Sequence, residues 1–286
     1  MKKILVSIIA LMAVSMGANA QYAKLYKGTT LVGQYSKSQV DKVEFSNTPA
    51  QESVLNGHAY VEIGGKKWST MNLGATTVAG SYNTCYGVYY AWGTTDPYLS
   101  KYTLSDANAM SSTEWKRRDG YTTLNAAYCS SEATEESISY TKYTSTDGKT
   151  TLDNYDDAAI VAWGGTWRMP SKDDFLALYA ACGGTGGSIT PTSGGSTETT
   201  AKGIYWCTNY NGVAGILFCD GTNKLFFPAA GYVTNTYLNN GGGDGLYYSS
   251  SVDNGQPFRI FFSSTVLRLE NAPNRYTGVS IRPVSD

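Results

Sequence analysis

Asp156-Asp157-Ala158-Ala159-Ile160-Val161-Ala162-Trp163-Gly164-Gly165-Thr166-Trp167-Arg168-Met169-Pro170-Ser171 is the stretch whose reading decides the architecture. Asp156 to Trp163 reads as a short helix closed by the Gly164-Gly165 pair. Ser171 then stands as the N-cap of a second helix, with Asp174 three residues on as a capping-box variant. Phe175, Leu178, Tyr179 and Cys182 follow at i, i+3, i+4 and i+7, the spacing of one buried helical face, and Gly183-Gly184 ends it. Asp153, Asp156 and Asp157 are read as helix caps, with a small ion site as the other use of three carboxylates so close together.

Downstream of this pair everything reads as strand. Ile204–Thr208 and Gly215–Cys219 flank Asn211-Gly212, a strong hairpin signal. Leu225–Tyr232 reads as a buried strand, and Tyr247–Ser251 as a strand after a Gly-rich turn. In Phe258–Ser263 the residues Phe258, Ile260 and Phe262 share one face, and Arg259, Phe261 and Ser263 the other. Leu267 and Leu269 alternate with Arg268 and Glu270, and Val279 and Ile281 with Ser280 and Arg282. Residues 183–200, rich in Gly, Ser and Thr, read as a flexible loop. Upstream, Tyr60–Ile63 and Lys67–Met71 are strands joined by Gly64-Gly65, and Tyr86–Gly93 is aromatic-rich and buried. Residues 96–150 read as a loop-rich insertion. Two helices followed by an irregular set of short strands give the class α+β.

The chain opens Met-Lys-Lys, runs apolar from Ile4 to Met16 and reaches Ala18-Asn19-Ala20, so residues 1–20 read as a signal peptide cut after Ala20. The expectation is a secreted or cell-surface protein, with no membrane span in so short an apolar run. Residues 21–48 read as a small β module of two or three strands, 49–56 as a linker and 57–286 as the main domain. Removing Lys2 and Lys3 leaves 20 basic against 23 acidic residues. That balance gives no electrostatic footprint for nucleic acid. The chain has 23 tyrosines and 31 glycines, a mixture equally typical of exported β proteins and of binding surfaces. Of the five cysteines, Cys207 and Cys219 flank the hairpin and are candidates for a cross-strand disulfide, and Cys182 is expected to be a free thiol.

Several of these motifs together resemble a known family. Asp156-Asp157-Ala158-Ala159, Trp163–Pro170, Phe227-Pro228-Ala229-Ala230-Gly231-Tyr232, Tyr247–Ser251 and Gly278–Val284 look like the Fibrobacter succinogenes major paralogous domain, over about residues 57–286. The resemblance implies a C-type-lectin-like fold on a secreted or surface protein, pilus tips included. Some relatives resemble targets of diversity-generating retroelements, whose C-terminal segment varies to change what they bind; the matching stretch is Tyr247–Tyr276.

Strand alternation assigns the site residues within that stretch. Inward positions hold the sheet, which leaves Arg259, Phe261, Ser263, Arg268 and Glu270 outward, with Asp253, Asn254, Asn271, Asn274 and Tyr276 on loops and Tyr247 at the segment's start. The same pattern fits an ordinary solvated face; Phe261 among polar groups favours a contact surface. Trp163, Trp167, Arg168 and Arg282 are assigned to structure, and a partly buried Arg needs a carboxylate or carbonyl, for which Asp156 or Asp157 is a candidate. Calcium-dependent sugar binding is not expected. In Gln256-Pro257-Phe258, Phe258 stands where an oxygen ligand is needed, and no cofactor or metal motif appears. His58, the single histidine, reads as a surface or strand-edge residue, with no G-x-S-x-G serine to serve. The expected function is calcium-independent recognition or adhesion of a glycan or protein ligand, not catalysis. A structural subunit of a pilus or surface assembly, or less readily a sulfatase-modifying-type enzyme, are the alternatives.

Overall fold

The computed structural model describes residues 53–97, 140–234 and 237–286, together with the backbone of four further strands at 22–27, 30–36, 99–102 and 115–117. The proposed signal peptide, the Val43-Glu44-Phe45 strand, the first half of the linker and Cys129 lie outside the described residues. The chain divides into two compact units, 1–51 and 52–286. In the first, β1 (Tyr22–Lys27) and β2 (Thr30–Ser36) pair antiparallel with a bulge at Leu25/Tyr26.

The second unit is α+β with mostly antiparallel sheets. It opens with β3 (Val54–Leu55), β4 (His58–Ile63) and β5 (Lys66–Ser69). β3 is a correction to the linker: its residues pair with Ala59 and His58. A short helix α1 (Tyr82–Cys85) and β6 (Tyr89–Tyr90) follow, then the hairpin β7 (Leu99–Tyr102) and β8 (Trp115–Arg117). Helices α2 (Ala158–Trp163) and α3 (Lys172–Ala181) come next. After them run β9 (Ser188–Ile189), β10 (Thr192–Ser193), β11 (Gly203–Tyr210), β12 (Val213–Cys219) and β13 (Lys224–Pro228). Next come β14 (Tyr232–Thr234), β15 (Tyr237–Asn239), β16 (Gly245–Asp253), β17 (Gln256–Phe262) and β18 (Leu267–Asn271). β19 (Val279–Ser280) and β20 (Val284–Ser285) end the domain. Three sheets dominate, in the orders β6-β19-β16-β17-β18-β9, β10-β11-β12-β13 and β20-β5-β4-β3. Residues 183–200 are therefore not a free loop: β9 closes the edge of the first sheet against β18, and β10 that of the second against β11.

Local chemistry explains the corners. Asn56-Gly57, Asn211-Gly212 and Asn254-Gly255 all have positive φ at both residues, as does Gly64-Gly65. Each sits between directly paired residues, Leu55/His58, Tyr210/Val213, Asp253/Gln256 and Ile63/Lys66. That is the type I′ hairpin, whose twist matches the flanking strands. Helix α3 has the expected capping box, and Phe175, Leu178, Tyr179 and Cys182 are buried. The Asp157 carboxylate caps α2 through the Ala159 and Ile160 amides and also accepts from the Met169 amide.

Three apolar clusters fill the interior. The first packs α3 against the sheets, with Trp68, Phe175, Ile216, Phe227, Tyr247, Ile260 and Phe262. The second contains Tyr86, Leu217, Phe226 and Val233, and the third Trp92, Tyr143, Met169, Leu246 and Tyr248. Tyr143 is fully buried, so the last part of the insertion read at 96–150 is core. β16 and β12 each feed two clusters, one from each face.

Arg168 corrects its expected partner. It pairs with Asp174 at 2.5 Å and Asp286 at 2.9 Å, because Asp157 is occupied by amides and Asp156 by Lys142 at 2.7 Å. Burial alone would raise the Asp174 carboxyl, but hydrogen bonds from Arg168 and Ser171 outweigh it and hold it below its ordinary value. A lowered folded pKa stabilises above the unfolded value, so this contribution is complete above about pH 4 and fades as pH falls through the folded value. Thermal melts from pH 2 to 7 should show Arg168→Gln less stable than wild type at neutral pH, with the gap closing below about pH 4. A gap independent of pH would contradict the pairing.

Arg282 is also fully buried. Its guanidinium donates to the Ser69 and Phe226 carbonyls, each at 3.0 Å. Arg282→Ala leaves both carbonyls unpaired and opens a cavity, which costs about 3–5 kcal/mol. The urea midpoint checks it; a loss below about 1 kcal/mol would show that the arginine is dispensable.

Candidate functional site

The outer face of β17 and β18 is where burial runs out. On the inner face Phe258, Ile260, Phe262 and Leu267 are buried in the first cluster. On the other face β16 is still covered, since Leu246 and Tyr248 belong to the third cluster. One strand further, Phe261 only leans on that cluster and is half-buried. In register, Arg259 faces Glu270 and Phe261 faces Arg268.

The side chains follow the register. Arg259 grips Glu270 Oε1 through Nη2 at 2.6 Å and Nε at 3.1 Å. The Arg259 guanidinium carbon lies 5.9 Å from the Phe261 ring centre and that of Arg268 6.0 Å. Arg268 is exposed and Ser263 half-buried. Five of the expected residues, Arg259, Phe261, Ser263, Arg268 and Glu270, thus lie on one small face with an aromatic ring flanked by two cations.

The other expected residues separate from this face. Asp253 and Asn254 are exposed on the β16–β17 turn, where the Asn254 amide donates to Asp253 at 3.1 Å. Asn271 is exposed at the end of β18. Asn274 is half-buried and its carbonyl accepts the Tyr248 hydroxyl. Tyr276 packs against the second cluster instead. Tyr247 is a correction: it is fully buried in the first cluster, with its hydroxyl donating to the Pro228 carbonyl at 2.7 Å and accepting from Asn72 at 3.1 Å. Neighbours in a strand point to opposite faces, but here both faces are covered, so no outward position exists.

A structural residue between the candidates was missed. Arg275 is fully buried and donates to the Gly255 carbonyl at 2.8 Å and the Lys142 carbonyl at 2.6 Å, with Tyr140 stacked 4.2 Å from its guanidinium. It ties residues 140–143 to the β16–β17 turn. A lone Arg between Asn274 and Tyr276 carries no sequence signal for this.

The remaining chemistry candidates resolve into structure. Asp153 pairs with Lys142 and Lys149, each at 2.6 Å, and hydrogen bonds from both hold its carboxyl well below the usual range. Among the described residues no group of three or more His, Cys, Asp or Glu is placed to hold a metal ion. No helix there is long and apolar enough to cross a membrane. His58 is half-buried in β4, its ring stacked 3.6 Å from Trp163, and burial lowers its pKa. Trp163 and Trp167 meet edge to face at 5.5 Å beside it.

The expected disulfide is not formed: Cys85, Cys182, Cys207 and Cys219 are all free and buried. Cys207 pairs with Gly215 and Cys219 with Gly203. The two are four positions apart along the hairpin, about 13 Å, beyond the reach of a disulfide. Comparison with protein-family models, with curated proteins and with solved structures finds no match to this chain.

Burial pushes the thiols of Cys85 and Cys182 up to about 12 and that of Cys207 to about 11. All four thiols are buried, so the folded protein should leave them unmodified by a disulfide reagent at pH 8. Denaturation without reductant should release at least these four. Fewer than four would show that at least one of them is bridged.

Proposed function

We propose that this chain is a secreted or cell-surface recognition protein whose C-type-lectin-like main domain binds a glycan or protein ligand, without calcium, through the outer face of β17 and β18. The observation that carries the reading is the half-buried Phe261 ring flanked by Arg259 and Arg268 on a face that the described residues cover only in part. Aromatic and Arg side chains dominate binding energy where they are held rigidly beside each other. The resemblance to the major paralogous family points to the same segment. The opposite face of these strands carries the fold, so the outer side chains are free for contact.

Purified protein is screened on glycan and surface-protein arrays, with and without a calcium chelator, beside a Phe261→Ala variant. The variant should lose about tenfold or more in affinity, with the cooperative fold retained and the melting point lowered by only about 2–4 °C, and with no effect of chelator on the wild type. Binding retained by the variant would move the site off this face, and loss with chelator would remove the calcium-independent part of the reading.

A further inference from the structure

The two arginines beside Phe261 are electrostatically different. Arg259 is committed to Glu270 by two hydrogen bonds to one carboxylate oxygen, so its charge is neutralised within the face. Arg268 is exposed, touches the Phe261 ring and has no ion pair among the described residues. The face therefore carries one aromatic surface and one uncompensated guanidinium about one ring width away. Around them lie hydroxyls: Ser263 and Thr265 contact each other at 3.2 Å.

Resting on the reading above, we infer that the ligand is an acidic glycan, whose uronic or sialic acid ring stacks on Phe261 while its carboxylate meets Arg268. A guanidinium pairs with a carboxylate through parallel N–H donors in one plane. In such sugars the carboxylate is attached directly to the ring, so stacking the ring and pairing the charge are one placement. Phe261 is the single aromatic on the outer face of these two strands. One ring suits one sugar, whereas a stable protein partner needs about 800 Å² on each side with a broader aromatic core. Glu270 also acts here: by holding Arg259 it removes the second cation, which fits a single carboxylate rather than a densely sulfated chain.

The test is binding of full-length mature protein to oligogalacturonate and to its carboxyl-reduced form, and to sialyllactose and lactose. Wild type, Arg268→Gln, Arg268→Lys and Phe261→Ala are compared, each checked by its melting curve. Wild type should bind at least one acidic probe about tenfold or more tighter than its neutral counterpart, and Arg268→Gln should erase that preference while Arg268→Lys keeps part of it. Equal binding of the acidic and neutral members, abolished by Phe261→Ala, would overturn the acidic class and leave the face in place. Acidic binding insensitive to both positions would overturn the face itself, and no binding to any acidic probe would overturn this inference.

Discussion

A charge buried without a carboxylate holds the domain together. Arg282 sits between β19 and β20 and donates to the Ser69 carbonyl at the end of β5 and to the Phe226 carbonyl in β13. Its guanidinium lies 4.6 Å from the Phe227 ring centre. One side chain thus joins members of all three main sheets. Taking an isolated cation out of water is expensive. Desolvation accordingly pushes this group down to about 10, still far enough above neutrality to stay charged. Two carbonyl dipoles and an aromatic face share the charge, and none of them can be lost without stranding it. The neighbouring Asn72, Tyr86, Ser280 and Tyr247 extend the polar contacts, with Asn72 and Ser280 both donating to the Tyr86 carbonyl. The network is not fully satisfied, since the Arg282 Nε and Asn72 Oδ1 atoms have no hydrogen-bond partner, but it favours this arrangement of the sheets because losing it would strand further buried groups.

Once three sheets meet around that point, coverage becomes unequal. β12 and β16 lie between clusters and are buried on both sides, whereas β17 reaches the third cluster only through the half-buried Phe261, and the described residues leave the outer face of β17 and β18 partly uncovered. The division of labour within the site follows from this position. Inner residues of β17 contribute to stability, and on the outer face the Arg259–Glu270 pair, whose side chains are only 17% and 29% exposed, is a mutually dependent contact.

What the sequence made legible was what is local. The capping box and the i, i+3, i+4, i+7 face of α3 depend on neighbours within two turns, and they appear as read. So does Asn211-Gly212. The same dipeptide at 56–57 and 254–255 carries an equal hairpin signal, but at 56–57 the preceding strand is only the two residues Val54-Leu55, too short for its own alternation to mark it. The disulfide failed on arithmetic: Cys207 lies four residues before Asn211 and Cys219 seven after Gly212, and the bulge near Cys207 changes the offset without closing it. Tyr247 failed for a different reason. Alternation marks the outward side only where one face is solvated, and a strand covered on both faces has no such contrast. The partners of Arg168 and the role of Arg275 are contacts between distant segments, which no local pattern encodes. The outward set on β17 and β18 was legible because there one face is core and the other is not.

That contrast bears on how such a face can change. Its outer residues stand on strands paired in register, with β17 hydrogen-bonded to both β16 and β18, so they are held in place beforehand and little chain would have to be ordered on binding. Replacement of Arg259, Phe261, Ser263, Arg268 or Glu270 alters charge and shape on one side of a sheet whose other side keeps its packing. Each outer position can therefore be exchanged nearly independently of the fold, except that Arg259 and Glu270 must change together, since removing either leaves a partly buried charge alone. A loop-borne site would offer more shapes at a larger entropic cost. In the proposed recognition role, specificity would rest on side-chain identity at a few fixed points, with the backbone geometry that aims them held constant.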